Sequence, residues 1–310
     1  MNVETLVTTF ESSFDVVGVI SSARYTEEAA RRGRHVPEPP YPTMVVVGLA
    51  YPKRTIRQTE DHLVPSFYTF GSDYHVVLQN RIRSVMDATG LAYEAGVDNH
   101  PHDERLAAIL AGLGSMGKNQ LVISDTYGSY VFLGIVFVDV LLEREHVLEV
   151  TGDCGDCTRC IDACPTSALF EDGFMIDRCL SATNQLKRPV TDLEMDVNHV
   201  LFGCDICQMV CPRNIGIVKK THPEFELSGK EQIAVDDLFT LSNSAFKARY
   251  AGMSYLWKGK TVLMRNAVML IARHGYVNHV PRIEASMTDD RPAWYLDTAR
   301  RALEKLKRSA

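Results

Sequence analysis

Long apolar runs are missing from this chain. Of its 310 residues 45% are hydrophobic, yet no segment reaches the roughly 18 uninterrupted apolar residues that a membrane-spanning helix needs. The opening stretch, MNVETLVTTFESSFD, lacks a basic region followed by an apolar core, so it does not read as a secretory signal. A cytoplasmic location, no membrane partner and reduced thiols are expected. Cysteine is missing from both ends: all eight cysteines lie between Cys154 and Cys211. Disulfides would be the reading for a small secreted domain. In a long chain with reduced thiols, such clustering points to metal.

The net charge of −6 is unevenly spread. Residues 241–310 carry 13 basic against 5 acidic side chains, a surplus of +8. The preceding 240 residues carry 20 basic against 34 acidic, a deficit of −14. A basic end on an acidic body suggests a polyanionic partner, with a solvated helical surface as the plain alternative.

Residues 1–145 read as α/β. DVVGVIS (15–21) and TMVVVGLAY (43–51) are β-branched runs of strand length, separated by the proline-rich loop RRGRHVPEPPYP. Val77, Leu78, Ile82, Val85 and Met86 recur at helical spacing, and DERLAAILAGLG (103–114) reads as a helix with acidic residues first and glycines last. QLVIS and SYVFLGIVFVDVLL read as strands joined by the turn DTYGS. Residues 146–220 show little periodicity and must take their order from metal. Residues 221–310 read as helical, with amphipathic runs at 259–275 and 292–309 that resemble a short stack of solenoid repeats.

The run Cys154-x2-Cys157-x2-Cys160-x3-Cys164-Pro165 has the ferredoxin spacing for a four-iron cluster, in which the fourth cysteine serves a second cluster. Cys204-x2-Cys207-x3-Cys211-Pro212 is that second set, short of one ligand, and Cys179 is the remaining candidate. The crossed-ligand rule gives one cluster Cys154, Cys157, Cys160 and Cys211, and the other Cys164, Cys179, Cys204 and Cys207. A pair of structural zinc sites is the rival, although zinc does not need this order. The insertion LSATNQLKRPVTDLEMDVNHVLFG, between Cys179 and Cys204, is free to reach towards a neighbouring site.

With these motifs the chain resembles the epoxyqueuosine reductase family. YTFGSDYH (68–75), VDNHPHDER (97–105), AGLGSMGKNQLVIS, GSYVFLG and the cysteine order carry the likeness. The resemblance implies an α+β multidomain fold: a cobalamin-binding α/β domain (1–145), a ferredoxin-like module with two [4Fe-4S] clusters (146–220) and a basic HEAT-like helical domain (221–310). It implies reduction of the epoxide on a modified tRNA base, at the anticodon stem-loop, to an alkene. Asp98 falls where the family has its proton donor; a helix N-cap is the alternative role. Tyr68, Asp98, Lys118, Asn119, Ser129 and Ser181 are the implied cobalamin contacts. Lys258, Lys260, Arg265, Arg300 and Arg301 are the expected tRNA contacts. An unidentified electron donor and a monomer are expected. Two rivals are a cobalamin and iron–sulfur reductase of a small electrophile such as an organohalide, and a non-catalytic electron-transfer protein.

GLGSMGK (112–118) satisfies two nucleotide motifs in outline, but Asn119 replaces the magnesium-binding Ser/Thr, and a helix precedes where a strand is required. Its glycines are expected to end a helix and to let backbone approach the corrin. His100 and His102 depart from the family and read as solvated loop side chains. SATNQ (181–185) departs as well, on a loop expected to face substrate.

Overall fold

The computed structural model describes residues 2–309. It divides into two compact units, each assembled from separated stretches of chain: up to Lys53, Tyr74–Cys157 and Cys211–Glu224 in the first, and Arg54–Asp73, Thr158–Val210 and the chain from Phe225 in the second. These units do not follow the three consecutive regions expected from sequence. Among the described residues no helix is long and apolar enough to cross a membrane.

The first unit is built on a four-stranded sheet in the order Val16–Ser21, Thr43–Ala50, Val131–Val138, Tyr93–Gly96. Every neighbouring pair is antiparallel, so the α/β expectation for this region is corrected to α+β. Thr43–Ala50 is buried at every position, which explains an apolar run without alternation: both faces are covered. Helices Ser22–Arg31 and Glu104–Leu110 cover one face, through Tyr25, Ala29, Leu106 and Leu110. Helix Tyr74–Thr89 lies on the other, alongside Val3–Glu11. QLVIS contributes only the two-residue strand Val122–Ile123, paired to Ser115–Met116 and not to Val131–Val138.

The stretch after Cys211 belongs to this unit because polar contacts hold it there. Asp15, whose carboxylate has no exposed surface, accepts the Ala50 amide at 2.6 Å, lies 2.8 Å from His222 Nε2 and pairs with Lys220. Arg81 grips Glu224 with two bonds of 2.8 Å and donates to the Ser13 carbonyl. Asn214 accepts the Ser129 amide at 2.8 Å; Gly128 sits at φ +59, and a Cβ there would meet Asn214 Oδ1 at 2.1 Å.

The second unit centres on helix Lys260–His274, in which residues 262–272 are all buried. It packs against Ala293–Ser309 and Asp192–Val197. The helical reading of 221–310 holds for most of that stretch, though Ile233–Ala234 forms a short antiparallel pair with His62–Leu63. Residues from the 180–203 insertion (Val190, Met195, Leu201, Phe202) enter the same core as Leu263, Ala267 and Tyr295. The insertion is thus an internal part of the unit.

Burial pulls the Asp15 carboxyl up, but the bonds from His222, Lys220 and the Ala50 amide outweigh it and hold the group below the usual carboxylate range. Its contribution is therefore complete above the unfolded carboxylate value and is lost as pH falls through the depressed folded value. Asp15→Asn should destabilise the first unit by about 3 kcal/mol, as expected when one partner of a buried charge pair is removed. Denaturant unfolding at neutral pH measures the loss, and the wild-type advantage should vanish in strong acid.

Candidate functional site

None of the eight cysteines is in a disulfide. Each motif turns tightly and then starts a short helix: the Cys157 amide donates to the Cys154 carbonyl at 3.0 Å in the first unit, and in the second unit Arg159–Asp162 and Ile206–Met209 lie against one another. The thiols are close enough to feel each other's charge. In the first unit Cys154 and Cys157 act on Cys211. In the second, Cys179, Cys160 and Cys164 act on Cys207, and Cys179 acts on Cys204. Burial pushes the Cys207 thiol up to about 12 and raises the Cys204 thiol as well; metal binding at such thiols displaces the proton. Cys164 behaves in the opposite way. Burial raises it, but the amides of Thr166, Ala168 and Leu169 point at the sulfur and bring it below its ordinary value. The His199 ring, which sequence reading did not single out, has Nε2 3.8 Å from Cys204 Sγ, and burial drops it to about 4. It is a neutral neighbour of that thiol, and only the fold reveals it.

Arg265 holds the loops that carry two of these cysteines. Its side chain has no exposed surface. It donates to the carbonyls of Leu186, Arg188 (3.1 Å) and Asn184 (2.8 Å), and to Asn266 Oδ1. Asn266 in turn donates to the Asn184 and Leu201 carbonyls at 2.8 and 2.9 Å. Asn184 closes the knot by exchanging two bonds with the Gly203 backbone. The chain leaving Cys179 is thereby joined to the chain entering Cys204. This overturns the expectation that Arg265 meets tRNA: a fully buried guanidinium cannot reach a phosphate. Lys260 is also no surface cation; it is 7% exposed and its ammonium donates to the Leu241 carbonyl. Arg301 bonds the Val190 carbonyl and Asp192, Lys258 is half-buried, and Arg300 is exposed.

In the first unit, Asp98 follows the sheet's edge strand at φ +58, a left-handed conformation that Asp tolerates better than most residues. It does not cap the following helix; Asp103 does, accepting the Leu106 amide at 3.0 Å. The Asp98 amide instead donates to Glu104 Oε1 at 2.7 Å, and its carboxylate lies 3.2 Å from His75 Nε2. The His75 ring stacks on Tyr74 at 4.0 Å, and Tyr74 on Phe132 at 4.3 Å, which fixes where His75 points. The bond from His75 holds the Asp98 carboxyl below the usual range, against partial burial, with Tyr74 and His100 adding to the effect. Asp98 faces an open cavity of about 700 Å³, where Arg34, His35 and Arg105 share the wall.

His100 and His102 are packed rather than solvated. His100 lies 3.1 Å from Glu104 Oε1 with its ring over Gly96, where a Cβ would sit 2.3 Å from the ring. His102 leans on Phe137, and burial lowers its pKa. The glycines at 112–117 likewise make room for the protein's own atoms. A Cβ on Gly112 (φ +74) would meet the Leu148 carbonyl at 2.0 Å, and one on Gly114 the Ile123 carbonyl at 2.4 Å.

Of the remaining expected corrin contacts, Ser129 is buried and accepts from Asn214 Nδ2 at 2.8 Å. Lys118 is half-buried beside Asn119, whose buried Nδ2 has no acceptor. In the second unit the Tyr68 ring lies against Phe202, and the Ser181 carbonyl accepts from Gln185 at 2.7 Å.

A family model described as a 4Fe-4S double cluster binding domain matches residues 153–214. The cysteine array therefore binds iron–sulfur clusters, and the zinc alternative falls away. The chain is 34% identical over 280 residues to the epoxyqueuosine reductase of Lactococcus garvieae, covering 86% of this chain and 78% of that protein. The solved epoxyqueuosine reductase of Streptococcus thermophilus matches with a TM-score of 0.87 at 28% identity, over 99% of this chain and 91% of that one. A crystal structure of epoxyqueuosine reductase with an epoxyqueuosine-modified tRNA-Tyr stem loop matches with a TM-score of 0.85 at 28% identity, over 98% and 89%.

Arg265→Lys keeps the charge but loses the planar set of donors that meets several carbonyls at once. Iron bound after anaerobic reconstitution should fall from about eight to about four per chain as one cluster fails to assemble. Full iron content with unchanged thermal stability would show that the knot does not govern the ligand loops.

Proposed function

This chain belongs to the epoxyqueuosine reductase family, and we propose that it converts the epoxide of epoxyqueuosine in tRNA to the alkene of queuosine. It is an oxidoreductase and an iron–sulfur protein. The carrying observation is the match along nearly the whole chain to a reductase solved with a modified tRNA stem loop. Taking an epoxide to an alkene and water consumes two electrons and two protons. Single-electron clusters suit the first requirement and a positioned acid the second.

One cluster is assigned Cys154, Cys157, Cys160 and Cys211, the other Cys164, Cys179, Cys204 and Cys207. The coupling of Cys211 to Cys154 and Cys157, and of Cys207 to Cys179 and Cys164, accords with this division, whereas Cys160, which also acts on Cys207, is assigned by the crossed-ligand rule alone. Cobalamin is the second cofactor of the proposal. The observation that favours it is Asn119, a buried carboxamide with an unaccepted N–H group; an amide-rimmed corrin offers the missing carbonyl, and Lys118 stands beside it. When bound, the corrin supplies an electron-rich metal able to open a strained C–O bond.

Asp98 supplies the proton. With the cavity open to water its carboxyl is ionised, held so by His75. Substrate that fills the cavity removes that water, and desolvation favours the neutral acid. Opening of the C–O bond leaves charge on oxygen, which the acid then neutralises. Such an enzyme works where tRNA is, in the cytoplasm.

The direct test is anaerobic incubation of epoxyqueuosine-containing tRNA with cobalamin-loaded protein and a strong reductant. Mass spectrometry should find queuosine, lighter by one oxygen; unchanged epoxide would sink the proposal. Asp98→Asn should retain both clusters and cobalamin yet lose at least about a hundredfold in turnover. A general acid loses activity as pH rises through its pKa in the complex. His75→Ala removes the bond that depresses Asp98, so that limb of the pH–rate profile should move to higher pH. Cys179→Ala should leave about four irons and one cluster signal.

A further inference from the structure

We propose that the second unit contains an RNA-phosphate pocket at the head of helix Lys260–His274, gripping the backbone of the substrate's stem-loop. This rests on the tRNA reading above and adds where the nucleic acid is held. The pocket is a cavity of about 390 Å³ whose wall includes Lys187, Lys247, Lys258 and Lys260 and no carboxylate.

Three of the four charges are unpaired, and the fourth, Lys260, feels the Asp237 carboxylate without a salt bridge to it. Among the described residues, Lys187, Lys247 and Lys258 have no ion-pair partner, whereas the unit's other cations commonly do: Arg188 with Glu194, Arg249 with Asp237, Arg301 with Asp192, Lys305 with Asp196. Lys260 adds a buried ammonium whose hydrogen bond goes to a neutral carbonyl. Like charges so gathered repel one another, and an oxyanion relieves the repulsion. The helix adds to the same field. Gly259 precedes it without a side-chain cap, and its first turn holds no acidic residue, so its positive end favours an anion, although the Val262 amide already meets the Gly259 carbonyl at 3.2 Å.

The second clue is aromatic. The chain has two tryptophans, and both are here. Trp294 lines the cavity. Trp257 is 56% exposed, with Lys258 Nζ 3.4 Å from its ring centroid. Lysines bind phosphate as point charges and carry no base preference. Exposed indole rings stack on unpaired bases. Together they suit a single-stranded loop of RNA better than a free anion or a duplex. This also revises the expected footprint: Lys187 and Lys247 enter, and Arg265 leaves.

The test uses full-length protein with its clusters, and an unmodified tRNA anticodon stem-loop as binding probe, followed by fluorescence anisotropy over a range of salt. The double variant Lys187→Glu/Lys247→Glu should weaken binding at least about tenfold and flatten the log–log salt slope by about 1.4, the value for two single-strand phosphate contacts. Trp257→Ala should weaken binding about tenfold with the slope unchanged. Arg83→Glu, an exposed charge in the other unit, is the control and should bind like wild type. Turnover of the modified stem-loop by wild type is measured alongside. If wild type turns it over while the lysine variant keeps full affinity and slope, the pocket is wrong and the tRNA reading stands. If wild type neither binds nor reduces the stem-loop, both fall. If the lysine variant binds RNA normally but is no longer reduced by an acidic ferredoxin, the cavity serves a protein electron donor and the RNA assignment is overturned.

Discussion

A buried guanidinium needs acceptors for its donors, and in this chain that need organises the second unit. Arg265 meets it mainly with backbone carbonyls from residues 184–188, which are loop carbonyls without a regular ladder. Desolvating a cation is costly unless nearly every donor is satisfied. The knot therefore has one good geometry, and the backbone around it is held to that geometry. Asn266 and Asn184 extend the constraint to Gly203. An insertion that looks in sequence like a free loop becomes a wedge with a fixed base.

The first unit uses the same device with the sign reversed. Asp15 is a buried anion satisfied by an amide, a histidine and a lysine, and two of these partners come from the stretch after Cys211. In both units a buried charge ties chain that is distant in sequence to the local core. Such ties suit a protein whose units are each assembled from separated stretches, because apolar contact alone specifies register less sharply than a satisfied charge does.

Asp98 is held differently. It is half in water, in a left-handed turn, with its amide on Glu104 and its carboxylate near His75. The contacts orient the group without removing it from solvent, so its protonation can respond to what fills the cavity. A fully buried carboxyl such as Asp205, pushed up to about 7 by burial with only the Phe67 amide opposing it, has no comparable freedom.

Cysteine order, the helices at 74–89, 260–274 and 293–309, and the strands at 16–21 and 43–50 could all be read from residues in a row. Ligand spacing and hydrophobic period are properties of local sequence. Strand direction was not legible, because an apolar run buried on both faces looks the same in a parallel and an antiparallel sheet. The alternative role of Asp98 as a helix cap could not be settled from sequence, because Asp98 and Asp103 both precede the same helix; the fold gives the Leu106 amide to Asp103 and puts Asp98 at φ +58. The histidines at 100 and 102 looked solvated because polarity was the only clue, whereas Gly96 and Phe137 make room for their rings. Arg265 was assigned to the surface for a similar reason. Its charge is written in the sequence, but the carbonyls that accept its protons lie some 80 residues away along the chain, and only folding brings them within reach.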